Sequence, residues 1–260
     1  MMKLPFYQVD AFTGTIFRGN PAGVCMLDSR IPDETMQAIA AENNLAETAF
    51  LVKSAATYAL RWFTPDIEID LCGHATLASA FVIFNFYEPE LDRIDFETRS
   101  GLLSVGKTGA RLAMNFPARP ASPCDIPAAL TEGLGERPLE VRCARDYLAV
   151  FESEAVIQTM KPDIVRLAAL ECVGIIATAP GSNCDFVSRF FAPRVGVPED
   201  PVTGSSHCTL IPYWSERLGK KELHARQVSK RGGELFCRDQ GERVSIAGEA
   251  ALYLKGTIVL

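Results

Sequence analysis

Basic runs are the first thing missing from this chain. Its 260 residues carry 26 Lys and Arg against 32 Asp and Glu, a formal charge of −6. Only the pairs Lys220-Lys221 and Lys230-Arg231 gather positive charge, and each lies near acids such as Glu222 and Glu234. A nucleic-acid partner calls for a basic stripe, so none is expected. Long apolar runs are missing too. The most apolar stretch, Ala75 to Phe86, is broken by Thr76, Ser79 and Asn85 and is too short to span a bilayer. The opening residues, Met1 to Asp10, lack a leader-like apolar core and read as a strand, so no targeting segment is expected. No two of the eight cysteines are spaced Cys-x-x-Cys, which argues against a structural zinc site. A chain this long, with 48% hydrophobic residues, has no need of a disulfide framework. These absences predict a reduced, cytoplasmic protein with no metal, membrane or nucleic-acid partner.

What the chain does have is self-similarity. Arg61-Trp-Phe-Thr-Pro65 is echoed by Arg189-Phe-Phe-Ala-Pro193, and Cys72-Gly73-His74-Ala75-Thr76 by Thr203-Gly204-Ser205-Ser206-His207. The interval from arginine to glycine is three residues longer in the second copy. Further on, Arg99 to Arg111 lies over Arg231 to Arg243 without a gap, with Arg, Gly, Leu, Gly and Arg agreeing. Each copy reads strand, turn, small-residue helix start, apolar helix, then a Gly-punctuated hairpin. Strands are expected at Phe6–Ala11, Gly23–Leu27, Thr48–Lys53, Leu60–Thr64, Asp95–Thr98, Leu102–Gly106, Ala110–Asn115 and Tyr253–Leu260. Helices are expected at Pro32–Asn43, from its apolar spacing, and at Gly73–Phe86, which lacks a polar face and should be buried. Pro117 to Cys124 reads as a linker. Strands around a buried helix, twice over, predict an α+β fold of two pseudo-symmetric lobes. The first spans residues 1–117, joined by a last strand at about 250–260, and the second spans 118–249.

Duplication bears on function because two equivalent helix starts, at Gly73 and near Gly204, would face a shared crevice. A helix N-terminus offers unpaired N–H donors and partial positive charge, which suits a carboxylate. Gly73, Ala75, Gly204, Ser205 and Ser206 are small enough for a ligand to approach the backbone. The expected partner is therefore a small carboxylate whose developing charge is stabilised during proton abstraction. For either helix start alone, plain capping is the commoner role.

Four segments sharpen this: Gly19-Asn-Pro-Ala-Gly-Val24, Asn44-Leu-Ala-Glu-Thr-Ala-Phe50, Cys72-Gly-His-Ala-Thr76 and Glu199-Asp-Pro-Val-Thr-Gly-Ser205. Together they resemble the PhzF-like family, the phenazine-biosynthesis isomerases related to diaminopimelate epimerase. The resemblance runs end to end and includes the closing Gly256-Thr-Ile-Val-Leu260. It implies lobes that are curved, mostly antiparallel sheets around central helices, a homodimer, and no metal or organic cofactor. It places the acid/base on Glu47, with His74 and Asp200 as catalytic partners, and substrate contacts on Asn20, Gly73, Gly204 and Ser205. Ala46 stands where serine is common and Cys72 precedes the Gly-His pair, and neither departure removes a catalytic residue.

On the residues themselves, Glu47 sits among Leu45, Ala49 and Phe50, and an apolar setting disfavours the charged carboxylate, which suits an acid/base near neutral pH. An exposed glutamate is the commoner fate of this residue type. His74 alone could equally be a helix-start histidine bonded to backbone, and Asp200 a turn or N-cap aspartate. His207 and His224 lack ligand spacing and read as structural. The related epimerases use one thiol per lobe. Here Thr203 lies over Cys72, and a hydroxyl is a poor base, so Cys72 reads as a small helix-start residue. The leading reading is an isomerase moving a proton, and with it a double bond, on a small carboxylate. A racemase or epimerase of an amino or hydroxy acid, and a non-catalytic small-ligand binder, stand as alternatives.

Overall fold

The computed structural model describes residues 1–260. In chain order the elements are β1 (Lys3–Ala11), β2 (Asn20–Leu27), α1 (Asp33–Asn43), β3 (Glu47–Ser54), β4 (Thr57–Phe63), β5 (Glu68–Ile69), α2 (Gly73–Phe86), β6 (Arg93–Thr98), β7 (Gly101–Thr108) and β8 (Arg111–Pro117). There follow β9 (Ser122–Pro123), α3 (Ala128–Leu134), β10 (Glu140–Cys143), β11 (Tyr147–Val150), α4 (Glu154–Thr159), α5 (Ile164–Ala168), β12 (Ile175–Pro180), β13 (Phe186–Ala192) and β14 (Val197–Asp200). The chain ends with α6 (Gly204–Leu218), β15 (Glu222–Gln227), β16 (Gly233–Asp239), β17 (Arg243–Gly248) and β18 (Ala250–Val259). It divides into two compact units, Met1–Asn115 with Ala247–Leu260, and Phe116–Ile246. The fold is α+β, and no helix is long and apolar enough to cross a membrane.

In the first unit β1 lies antiparallel between β18 and β2. The pairs β2–β3 and β4–β6 are parallel. A parallel pair needs a crossover, and α1 and α2 supply the two. The rest of the sheet is antiparallel, through β3–β4, β6–β7 and β7–β8. Helix α2 packs against β1, β2 and β3. Ten of its fourteen residues are buried, as its lack of a polar face requires.

The second unit repeats the plan. Strands β11–β12 and β13–β15 are parallel, while β10–β11, β12–β13 and β15–β16 are antiparallel. Its core gathers Leu130, Phe151, Ile157, Leu167, Ile175 and Phe191. The three extra residues of the second copy fall between Pro193 and Glu199, where a 3-10 turn, Pro193–Val195, follows β13. An ion pair marks the equivalence of the copies. Arg61 Nε and Nη2 each lie 2.7 Å from Glu68, and Arg189 Nε and Nη2 lie 2.7 and 2.9 Å from Glu199.

The segment read as a linker is tied down on its own unit. Pro212 inside α6 has no N–H to give the Cys208 carbonyl one turn back. The Arg119 N–H donates to that carbonyl at 2.8 Å. Beyond it, Ser122 and Pro123 pair with β10. The proline that costs the helix a hydrogen bond thereby creates an acceptor for the incoming chain.

Candidate active site

Glu47 is the first residue of β3, in register with Ala22 of the parallel β2. The chain reaches it from α1 through Asn44, whose left-handed backbone (φ 49) ends the helix; asparagine tolerates that conformation. Asn20 opens β2 and is fully buried. The turn before it needs Gly19, at φ +64, where a Cβ would stand 2.2 Å from the Ala11 carbonyl oxygen. A Gly19→Ala variant should therefore lose more than the roughly 1–2 kcal/mol of a left-handed alanine. Urea unfolding checks this, and a loss under about 0.5 kcal/mol, no more than an ordinary surface change, would contradict the turn geometry.

Helix α2 delivers the remaining groups. Cys72 is its N-cap residue and His74 its second residue. His74 Nε2 faces Glu47 Oε2 at 2.9 Å, and neither atom has another partner or a well-aligned hydrogen bond. The other ring nitrogen, Nδ1, lies 3.2 Å from Asn20 Nδ2 and 3.5 Å from Cys72 Sγ. Carboxylate, imidazole and thiol thus form one cluster, with a donor atom of each within 4.8 Å of the others and Asn20 beside it. Glu47 Oε2 is buried against the ring, although the side chain as a whole is 15% exposed.

Burial works against charge on His74, but the Glu47 carboxylate 2.9 Å away favours it, and the pKa is raised well above the ordinary 6.5. Burial pushes the Cys72 thiol up to about 11, with the Glu47 carboxylate acting in the same direction. Cys72 is therefore a neutral thiol at physiological pH and a poor base.

At the start of α6 the second unit carries a different set. Thr203 Oγ1 donates to Asp200 Oδ2 at 2.5 Å, and the Thr203 N–H donates to Gln227 Oε1 at 2.9 Å. Gln227 Nε2 donates to the Asp200 carbonyl at 2.6 Å. Ser205 Oγ accepts from Arg145 Nη2 at 3.2 Å, and Arg145 is paired with the buried Asp146 at 2.7 Å. Gly204 and Ser205 are the first residues of the helix. Arg145, Asp146 and Gln227 escaped the sequence reading. They belong to none of the repeated segments, and Arg145 reaches Ser205 across 60 positions of sequence.

His207 has the structural role expected of it. Its ring is fully buried, and Nδ1–H donates to the Thr203 carbonyl at 2.8 Å. The equivalent Thr76 makes the same contact in the first unit, from Oγ1 to the Cys72 carbonyl at 2.5 Å. Burial lowers the His207 pKa to about 4. The folded state keeps the ring neutral while the unfolded chain takes up a proton below pH 6.5. Stability is then complete above pH 6.5 and falls as the pH drops toward 4, by about 3 kcal/mol at the limit. Urea midpoints between pH 7 and 4 should show His207→Asn losing this slope, and an unchanged slope would contradict the assignment. His224 stacks on Phe236 at 4.9 Å.

A cavity of about 500 Å³ in the first unit involves none of Glu47, Cys72, His74 and Asn20. Its floor includes Met36, Phe50 and Leu60, and its rim Arg30, Arg61 and Arg99. Arg61 and Arg99 are already paired with Asp33 and Glu68.

Comparison with known proteins agrees with this architecture. The family described as "Phenazine biosynthesis-like protein" matches residues 9–256. An uncharacterized isomerase of Pseudomonas aeruginosa is 52% identical over the whole of both chains. The crystal structure of a PhzF-family phenazine biosynthesis protein from Enterococcus faecalis superposes with a TM-score of 0.98, at 46% identity and full coverage of both chains. A predicted epimerase of P. aeruginosa shares the fold alone, with a TM-score of 0.73 at 17% identity over 99% of both chains. The chain belongs to the phenazine biosynthesis-like (PhzC-PhzF) family and is an enzyme of the isomerase class.

Proposed function

We propose that the protein is a cofactor-independent isomerase that moves a proton, and with it a double bond, within a small carboxylate-bearing substrate, with Glu47 as the acid/base. The observation that carries this reading is the buried contact of His74 Nε2 with Glu47 Oε2. A carboxylate held on one oxygen by an imidazole keeps the other for substrate. Glu47 takes a proton from an activated C–H and returns it elsewhere on the same π-system, while His74 balances the charge as it changes. The N–H groups at the start of α2, beside Gly73, suit the negative charge that develops. Asn20 is proposed to hold substrate beside the cluster. Asp200, Gly204 and Ser205 are proposed to contact substrate as well, with Arg145, bonded to Ser205, as a further partner for a carboxylate. The resemblance also implies a homodimer, to be tested by sedimentation equilibrium.

Two observations favour isomerisation over epimerisation. Inverting one carbon calls for a base on each face. Cys72 is held as a neutral thiol, and its counterpart Thr203 donates its hydroxyl proton to Asp200. The test is a screen of small cyclic and amino acids in deuterium oxide, followed by NMR and ultraviolet absorbance. Isomerisation gives deuterium at a new carbon together with a shifted absorbance. Deuterium at a single stereocentre with no shift in absorbance would indicate an epimerase. Ligand binding with no exchange at any carbon would indicate a non-catalytic binder.

A further inference from the structure

We propose that Cys72, His74 and Glu47 form a capture site for a thiophilic divalent cation such as zinc, and that occupation of the site switches the enzyme off. One donor atom from each of the three side chains lies within 4.8 Å of the others. A thiol, an imidazole and a carboxylate are the donor types that bind zinc, at about 2.3 Å for sulfur and about 2.0–2.2 Å for nitrogen and oxygen. Donors around one tetrahedral ion stand about 3.2–3.7 Å apart, so a side-chain adjustment of about 1 Å closes the set.

A second observation points independently to a ligand. His74 Nε2 and Glu47 Oε2 are both buried, and apart from each other at 2.9 Å neither has a partner in the protein. Buried polar atoms are rarely left in this state, and an ion or substrate group relieves it. The Cys72 and His74 side chains are each more than nine-tenths buried, so once the ion is bound little water competes for it. Binding forms bonds from the ion to sulfur, nitrogen and oxygen, and the thiol proton and the extra proton of the His74 imidazolium leave to solvent. No oxidant or reductant takes part.

Capture rests on the geometry alone. Inhibition follows from it together with the proposed function, because the ion takes up the carboxylate oxygen and imidazole nitrogen that proton transfer uses. Cobalt(II) is the probe, since a cobalt–thiolate bond gives a near-ultraviolet charge-transfer band. The wild-type chain should bind one cobalt ion with that band, and zinc should displace it. The band should vanish in Cys72→Ala and persist in the Cys124→Ser/Cys143→Ser double variant, which removes the neighbouring thiols of the second unit. Glu47→Gln should keep the band but weaken zinc binding, measured against a chromophoric chelator, by roughly tenfold or more, since loss of an outer-sphere contact alone costs about 10–100-fold. This arm also serves should Cys72→Ala fail to fold. A band that persists in Cys72→Ala, a band lost in the double variant, or zinc affinity unchanged in Glu47→Gln overturns the proposal. Deuterium exchange without added metal is read separately, so failure of the proposed catalytic role is not mistaken for failure of the metal site.

Discussion

Glu47→Gln should lower turnover by about 10²–10⁴-fold, the usual contribution of a positioned acid/base, while leaving the fold intact. Glutamine keeps the shape and one oxygen beside His74, but it can neither accept a proton from carbon nor hold one for return. The variant also removes a charge that helps keep the His74 pKa high. His74 should then titrate at a lower pH, visible in the NMR of its ring protons. Because Glu47 opens a strand at 15% side-chain exposure, its thermal unfolding temperature should stay close to that of the wild type. An inactive variant that also unfolds early would attribute the loss to structure and not to chemistry.

Trp214→Ala should destabilise the second unit by about 3–5 kcal/mol, the range for deleting a buried tryptophan or phenylalanine. Trp214 is 1% exposed on α6. Its ring stacks on Phe186 with centroids 5.6 Å apart and planes 4° apart, and it meets Tyr213 edge-on at 5.3 Å. Nε1 donates to Thr178 Oγ1 at 3.0 Å, and that hydroxyl donates to the Val187 carbonyl at 2.7 Å. The ring thus joins α6, which carries Gly204 and Ser205, to β12 and β13. Domains are stable by only about 5–15 kcal/mol, so the loss is a large share of the total. Urea unfolding should show a lower midpoint at unchanged slope. A shift worth less than about 1 kcal/mol would mean that the ring is not packed as described.

How far the sequence revealed this molecule depended on how local the cause of each feature is. Helix α2 was legible to the residue, because an apolar run between Gly73 and Phe86 can satisfy its backbone only by coiling and can hide its side chains only in a core. The repeat was legible from Arg61 and Arg189, whose matching ion pairs with Glu68 and Glu199 had no local signal of their own. Helices α3, α4 and α5 were not legible. At five to seven residues they are too short to form without tertiary contacts, and Leu130, Ile157 and Leu167 supply those contacts. Strands β5 and β9 have two residues each, too few for any periodicity to show. At the site, the family resemblance implied Glu47, His74 and Asp200, while the residues alone left each of them an ordinary structural role. The contact of Cys72 Sγ with His74 Nδ1 was missed, because it depends on which way the imidazole turns within the first turn of α2.

Glu47, and not the thiol beside it, is proposed to carry the proton. The most direct test is solvent-deuterium incorporation into a turned-over substrate by Glu47→Gln and Cys72→Ala in the same assay. Cys72→Ala should incorporate deuterium within about tenfold of the wild-type rate, since a neutral thiol is not the base, and Glu47→Gln should incorporate none above background. Exchange that survives in Glu47→Gln and disappears in Cys72→Ala would contradict the proposal and make the thiol the base.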